Sequence, residues 1–260
     1  MSNVTYTDQM GDQIRLNETP KKIVSLVPSI TELLFDLGLD DEIVGITRFC
    51  KYPAEKIKNC TVIGGTKKVD FEQIDKLAPD LIIGNKEENE KGFIEKLKLS
   101  YSVWMSDIFD LSDVFNMIQQ LGFICNRKVE ALLLSQKIRD EFNQLKPLAP
   151  SPSALYFIWR KPYMVAGKNT FIDKMLTEAG FHNLLHEVRY PEMSVDQLKE
   201  LKPDYVLLSS EPFPFQKKHI IEFQKIFPNA IITLVDGELF SWCGSRLQYS
   251  PAYFRELLTH

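Results

Sequence analysis

The sequence predicts an α/β protein of two similar lobes, and three observations support that expectation. The first is an internal repeat. Glu72-Gln73-Ile74-Asp75-Lys76-Leu77-Ala78-Pro79-Asp80-Leu81-Ile82-Ile83 is matched by Asp196-Gln197-Leu198-Lys199-Glu200-Leu201-Lys202-Pro203-Asp204-Tyr205-Val206-Leu207. Both copies run acid, Gln, aliphatic, then through Leu-x-Pro-Asp into an apolar run. A residue before proline is pushed out of the α region, so each copy reads as a short helix that stops, followed by a buried strand. The second observation is that strand-like and helix-like segments alternate on both sides of the middle of the chain. The third is the segment Asn126 to Leu145, which lacks Gly and Pro and spaces Val129, Leu132, Leu133, Ile138, Phe142 and Leu145 roughly as a helix does. One continuous helix there is about 30 Å long at 1.5 Å per residue, enough to bridge two lobes. The expected organisation is an N-terminal lobe over 1–125, a bridging helix and linker over 126–150 and a C-terminal lobe over 151–260, with a ligand cleft between the lobes. A single rigid helix predicts small opening and closing motions in place of a wide hinge.

In chain order, Val4 to Leu16 alternates and turns at Met10-Gly11-Asp12, which predicts a hairpin. Lys22 to Val27 is a core strand, and Pro28-Ser29 opens a helix that Gly38 ends, with Ser29 or Ser25 as its cap. Ile43–Ile46 and Thr61–Gly64 are strands, followed by the first repeat copy. Val103-Trp104 and a helix over Leu111 to Leu121 close the first lobe, with Trp104 in the core. Pro147-Leu148-Ala149-Pro150-Ser151-Pro152 makes a stiff exit from the long helix. Ala154 to Trp159 restarts the alternation. A helix over Thr170 to Gly180, the second repeat copy, a strand at Ile231 to Val235 and a C-terminal helix follow.

The 260 residues are 44% hydrophobic and 25% charged, an ordinary globular composition. A net charge of -4 and the absence of long Lys/Arg blocks argue against a nucleic-acid partner. No stretch approaches the length of an apolar membrane span. The residues from Met1 to Asp8 show neither a basic nor an apolar signal region, so the chain is either cytoplasmic or has lost its signal. Cys50, Cys60, Cys125 and Cys243 lack metal-ligand spacing. Free thiols are favoured over a Cys50–Cys60 disulfide. His182 and His186 stand four apart, but no third ligand lies near, so no metal site is expected. No nucleophilic triad, P-loop or dinucleotide fingerprint is present, and Gly64-Gly65 is a turn.

Taken in order, several motifs resemble one family, the helical-backbone class of ABC-importer substrate-binding proteins that includes the vitamin B12-binding and ferric-siderophore-binding receptors. They are Lys22-Ile23-Val24-Ser25-Leu26-Val27-Pro28-Ser29-Ile30-Thr31-Glu32, Val44-Gly45-Ile46 with Tyr52-Pro53, the two repeat copies, Arg189-Tyr190-Pro191, and Trp242 through Arg246. The resemblance implies two Rossmann-like α/β lobes joined by one long backbone helix, a periplasmic or cell-envelope location, a monomer, and an ABC permease dimer as partner. It points to the cobalamin branch over the siderophore branch. Chelated metal would be cargo, and no cofactor is expected. The chain departs from the cobalamin relatives at Gly64-Gly65 and Asn85, near which they carry tryptophans.

Arg48, Tyr52, Trp159, Arg160, Tyr190, Trp242 and Arg246 follow predicted strands or sit in loops, where α/β lobes present residues to ligands. Ser29 lies at a strand-to-helix turn able to face a ligand. Glu211 follows a strand and is expected either to accept from ligand amides or to pair with Arg160 or Arg48. The resemblance places Tyr52, Tyr190 and Trp242 against a flat macrocycle, which aromatic faces suit. It also gives Glu72 and Asp196 a role docking to arginines of the permease. Read alone, those two acids favour helix first turns through the dipole.

The expected function is a non-enzymatic carrier of a metal chelate, foremost a corrinoid. One alternative is a ferric-siderophore or haem receptor, for which Arg48, Arg160 and Arg246 would neutralise ligand carboxylates. Another is a cytoplasmic tetrapyrrole-handling enzyme of chelatase type, disfavoured because His182, His186, His219 and His260 all lie late in the chain.

Overall fold

The computed structural model describes residues 4–146 and 150–257. The first part of the expected proline-rich exit and His260 lie outside the described residues. Packing divides the chain into two units: one comprises residues through Ile108, Ser112–Lys137 and Cys243–Arg246, and the other Phe109–Leu111, Ile138–Trp242 and the residues from Leu247 on.

The first unit opens with the predicted hairpin, β1 (Val4–Thr7) paired antiparallel with β2 (Gln13–Leu16). Its turn is fixed by Asp8, whose carboxylate accepts the N–H groups of Met10 and Asp12. Next come β3 (Ile23–Ser25), α1 (Pro28–Asp36), β4 (Ile43–Ile46), β5 (Thr61–Val62), α2 (Phe71–Leu77), β6 (Leu81–Asn85), α3 (Lys91–Lys98), β7 (Val103–Ser106) and α4 (Leu111–Ile124). The five strands after the hairpin form an all-parallel sheet in the order β5-β4-β3-β6-β7. Helices cover the sheet, so Ile23, Val24, Leu81, Ile82 and Ile83 are fully buried, and so is Trp104, with the polar Ser25, Asn85 and Ser106 at the carboxyl ends of their strands. β3 neighbours both β4 and β6, which are not consecutive. This reversal of winding opens a crevice at the carboxyl ends of β3 and β6.

The long helix α5 (Lys128–Asn143) is shorter than expected, 16 residues and about 24 Å. Asn126 takes a left-handed φ of 54° and separates α4 from α5, a conformation asparagine tolerates better than most residues. The expected apolar stripe also differs. Ala131, Ser135, Ile138 and Phe142 face inward, whereas Val129, Leu132 and Leu133 are exposed.

The second unit contains β8 (Ser153–Trp159), β9 (Tyr163–Val165), α6 (Phe171–Glu178), β10 (His182–Asn183), β11 (Glu192–Met193), α7 (Val195–Glu200), β12 (Tyr205–Ser209), α8 (Lys217–Ile226), β13 (Ile231–Val235), α9 (Glu238–Ser241) and α10 (Ser250–Leu257). Its sheet runs β11-β9-β8-β12-β13, with β10 also on β8; β8, β12 and β13 are parallel. The core packs Leu155, Phe157, Val206 and Leu208 of the sheet against Phe223 and Phe227. Phe157 and Phe223 meet edge to face at 4.7 Å between centroids.

The repeat has a clear structural cause. In each copy the Asp of Pro-Asp closes the start of the neighbouring central strand. Asp80 accepts the N–H groups of Lys21 and Lys22 ahead of β3. Asp204 accepts from the N–H and hydroxyl of Ser153, which begins β8. Asp70 caps α2 and Ser194 caps α7, leaving Glu72 and Asp196 in the first turns, where the helix dipole favours a negative charge.

Candidate functional site

In the first unit the loops after β3, β4, β5 and β6 share one edge of the parallel sheet. Ser29 is buried as the second residue of α1 and is not its cap. Proline prefers the first helical position, so the N-cap is Val27, whose side chain cannot accept a hydrogen bond. Arg48 follows β4 and is exposed, with its Nε donating to Gly64 O at 3.4 Å. Gly64 has φ 113°, and a Cβ there would stand 2.6 Å from Lys68 O, so this turn admits no larger residue. Asn85 is buried and turned inward: its side chain donates to Ser106 Oγ and accepts the N–H groups of Glu87 and Glu88. The buried Asn89 donates to Leu26 O and Thr66 O and accepts from Asn85 N–H.

The segment Cys243–Arg246 reaches this unit close to α1, where a Cβ on Gly244 would lie 2.9 Å from Ser29 O. It delivers Arg246, whose Nε and Nη2 donate to the two carboxylate oxygens of Glu32 at 2.9 and 2.8 Å. Those side chains are 13% and 10% exposed. The Tyr52 ring lies over the guanidinium, 3.8 Å from Arg246 Cζ to the ring centroid, and remains 37% exposed. Phe49, on the same loop, is also exposed.

In the second unit Trp159 ends β8, exposed, with its ring edge-on to Phe213 at 5.8 Å. Arg160 follows it, and its Nε and Nη2 grip Glu222 on α8 at 2.7–3.1 Å. The Tyr163 hydroxyl donates to the same carboxylate. The Arg160 bonds hold the Glu222 carboxyl below its usual range, while burial, with Glu222 beside it, pushes the Tyr163 phenol up to about 12. Arg160, Phe213, Lys218 and His219 are among the walls of a pocket of about 460 Å³.

Glu211 is held within its own unit. Its Oε1 accepts from Ser241 Oγ at 2.8 Å and from Trp242 Nε1 at 2.9 Å. Trp242 is therefore buried, 7% exposed, and anchors the Glu211 loop from beneath. A Cβ on Gly237 would stand 2.7 Å from Glu211 Cγ, so the loop lies tight on α9. Tyr190 is half-buried, with the Arg189 guanidinium 5.8 Å from its ring. His182 is in strand β10 after the left-handed Gly180, so His182 and His186 do not share a helix face. Among the described residues no group of three His, Cys, Asp or Glu could hold a metal, and none of the four cysteines is in a disulfide.

Sequence reasoning missed Glu32, Glu222, Ser241, Tyr163 and the pocket residue His219. Glu32 lay inside a quoted motif, but its partner Arg246 is 214 positions away. Only Phe49 carried a local signal, an aromatic three residues before Tyr52 just after a strand.

Two α/β units with arginines and exposed aromatic rings at the ends of their sheets define a solute-binding protein. The chain belongs to the periplasmic binding protein family, which matches residues 23–232. It is 28% identical over 216 residues to an uncharacterized ABC transporter substrate-binding lipoprotein of Bacillus subtilis, covering 78% of this chain and 68% of that one. It is 26% identical over 200 residues to a vitamin B12-binding protein of Vibrio parahaemolyticus, covering 74% of this chain and 72% of that one. In fold it is similar to the crystal structure of a periplasmic haem-binding protein of Vibrio cholerae, with TM-score 0.79 and 21% identity over 92% of this chain and 99% of that one. The resemblance to ABC-importer substrate-binding proteins thus holds, and the relatives are transport proteins. The protein is not an enzyme, which sets the chelatase alternative aside.

Proposed function

We propose that the protein captures a metal chelate outside the cytoplasm, foremost a cobalamin-type corrinoid, and hands it to an ABC importer. The observation that carries this reading is the exposure of flat aromatic faces, Tyr52 on the first unit and Trp159 on the second, at the carboxyl ends of the parallel strands. Tyr52 is backed by a guanidinium and Trp159 is braced by Phe213, so each ring is held ready to stack on a planar group with little loss of side-chain freedom. Ser29, Arg48, Tyr190 and Glu211 are the further candidate contacts. Trp242 supports Glu211 in the second unit, and Arg246 supports Tyr52 in the first. A haem or ferric-siderophore ligand is the second reading, favoured by Arg48 and Arg160, whose charge suits carboxylate-bearing chelates.

Titration with cyanocobalamin, haemin and a ferric hydroxamate siderophore, read by absorbance and tryptophan fluorescence, tests this. One of the three should bind saturably, and Trp159→Ala should weaken it by about 1–3 kcal/mol through lost contact area. Failure of all three chelates to bind would sink the reading.

Glu72 and Asp196, exposed in the first turns of α2 and α7, are proposed to engage basic pockets of the permease. Each helix already has its own cap, so neither acid is needed as one. Glu72→Arg with Asp196→Arg should abolish ligand delivery in reconstituted vesicles while leaving affinity and thermal stability nearly intact, since close interfacial pairs couple by about 1.5–7 kcal/mol and exposed ones by about 0–1. Undiminished transport by the double variant would reduce both acids to dipole complements.

A further inference from the structure

The pocket of the second unit holds more hydrogen-bond donors than the protein uses. His219, on the first turn of α8, is only 7% exposed. Its Nδ1 accepts the Gln216 N–H at 2.9 Å, so that nitrogen is unprotonated and the neutral ring carries its proton on Nε2. Phe213 and Phe215 pack against the ring, and no described group accepts from Nε2. Burial, together with the charges of Lys218 and Arg160, lowers the imidazole's proton affinity and preserves this neutral donor form. Arg160 commits Nε and Nη2 to Glu222 and leaves Nη1 unbonded. The Lys218 ammonium pairs with no acid among the described residues. Glu222 is the one acid in the wall, and it is occupied by Arg160 and Tyr163.

We propose that this pocket is an oxyanion site, in which a carboxylate or phosphate takes hydrogen bonds from His219 Nε2, Arg160 Nη1 and Lys218 Nζ. His219 Nε2 is a donor open to the pocket, and two cations facing one neutralised acid leave an excess of positive charge there. Phe213 and Pro214 add an apolar flank, so an anion on a hydrophobic stem fits better than a bare one. The anion is either a pendent carboxylate of the transported chelate or a separate small ion. The site itself does not depend on the chelate reading, because every group in it belongs to the second unit.

The experiment follows the His219 imidazole nitrogens by long-range ¹⁵N NMR in the whole protein while phenylacetate or inorganic phosphate is added. Saturable movement of the Nε2 signal with a Kd of about 1–10 mM is expected, tighter for phenylacetate. Lys218→Glu places an acid in the first turn of α8, which the helix tolerates, and should weaken binding about tenfold or more through charge reversal. Displacement of phenylacetate by haemin would assign the site to a carboxylate of the cargo. Phenylacetate binding that persists in chelate-saturated protein would assign it to a separate anion. No movement of Nε2 up to about 50 mM of either probe, or equal affinity in Lys218→Glu, overturns the proposal.

Discussion

Each unit holds one arginine in the fork of a carboxylate, yet the two pairs sit in different surroundings. Arg246 and Glu32 are nearly shut off from solvent and lie beneath Tyr52, while the Arg160 and Glu222 side chains are 25% and 27% exposed beside an open pocket. Desolvation strengthens the first pair and fixes its geometry, so its arginine serves as a platform for a ring. The second arginine keeps a donor in reserve. Two residues that look alike in the sequence therefore do different work, one holding an aromatic surface in place and the other offering charge to a ligand.

The sharpest way to break this contrast is to remove each carboxylate. Glu32→Ala should cost about 3–5 kcal/mol, because it removes the carboxylate that takes two hydrogen bonds from a nearly buried guanidinium. Glu222→Ala should cost about 1–2 kcal/mol, since water reaches Arg160 and screens it. Denaturant unfolding of both variants measures the difference. Equal losses would mean that burial does not separate the two pairs.

A finer comparison lies between the two copies of the repeat. Asp80 accepts two backbone N–H groups, whereas Asp204 accepts one and a serine hydroxyl, and those two bonds from Ser153 hold the Asp204 carboxyl below its ordinary range. A lowered folded value means the carboxylate's contribution is fully present above the unfolded value of about 3.9 and is lost as pH falls through the folded one. Asp204→Ala should cost about 1 kcal/mol at neutral pH, a small figure because the group is exposed. The gap between wild type and Asp204→Ala should close below about pH 4. In a double-mutant cycle Ser153→Ala and Asp204→Ala should couple. Additive losses, or a gap that widens in acid, would remove the capping role.

The repeat and most strands were legible because proline, glycine and apolar runs act locally. Where local rules competed, the reading slipped. The sequence opens α1 at Pro28-Ser29 with a serine as cap, whereas proline's preference for the first helical position puts the cap at Val27. Asn126 breaks α4 from α5 although neither Gly nor Pro stands there. Helix α8 went unread behind Pro212 and Pro214, although Ile220, Phe223 and Ile226 keep a helical spacing. In the site, the ring-bearing loops were visible as aromatics after strands. Their partners were not, because Glu32 with Arg246 and Glu211 with Trp242 are joined only by the folded chain. Trp242 is a ligand contact by the family resemblance, and the burial and the Glu211 bond that the fold gives it are invisible in the sequence.

The Asn89 carboxamide touches the turn after β3, the turn after β5 and the end of β6 at once. Those segments are the ones an engineer would vary to retune what the first unit recognises. Because a single buried side chain ties their backbones together, a graft that shifts any one of them would pull on the Asn89 bonds to the other two. Transplanted as a set with Asn89 kept, they form an interchangeable cassette.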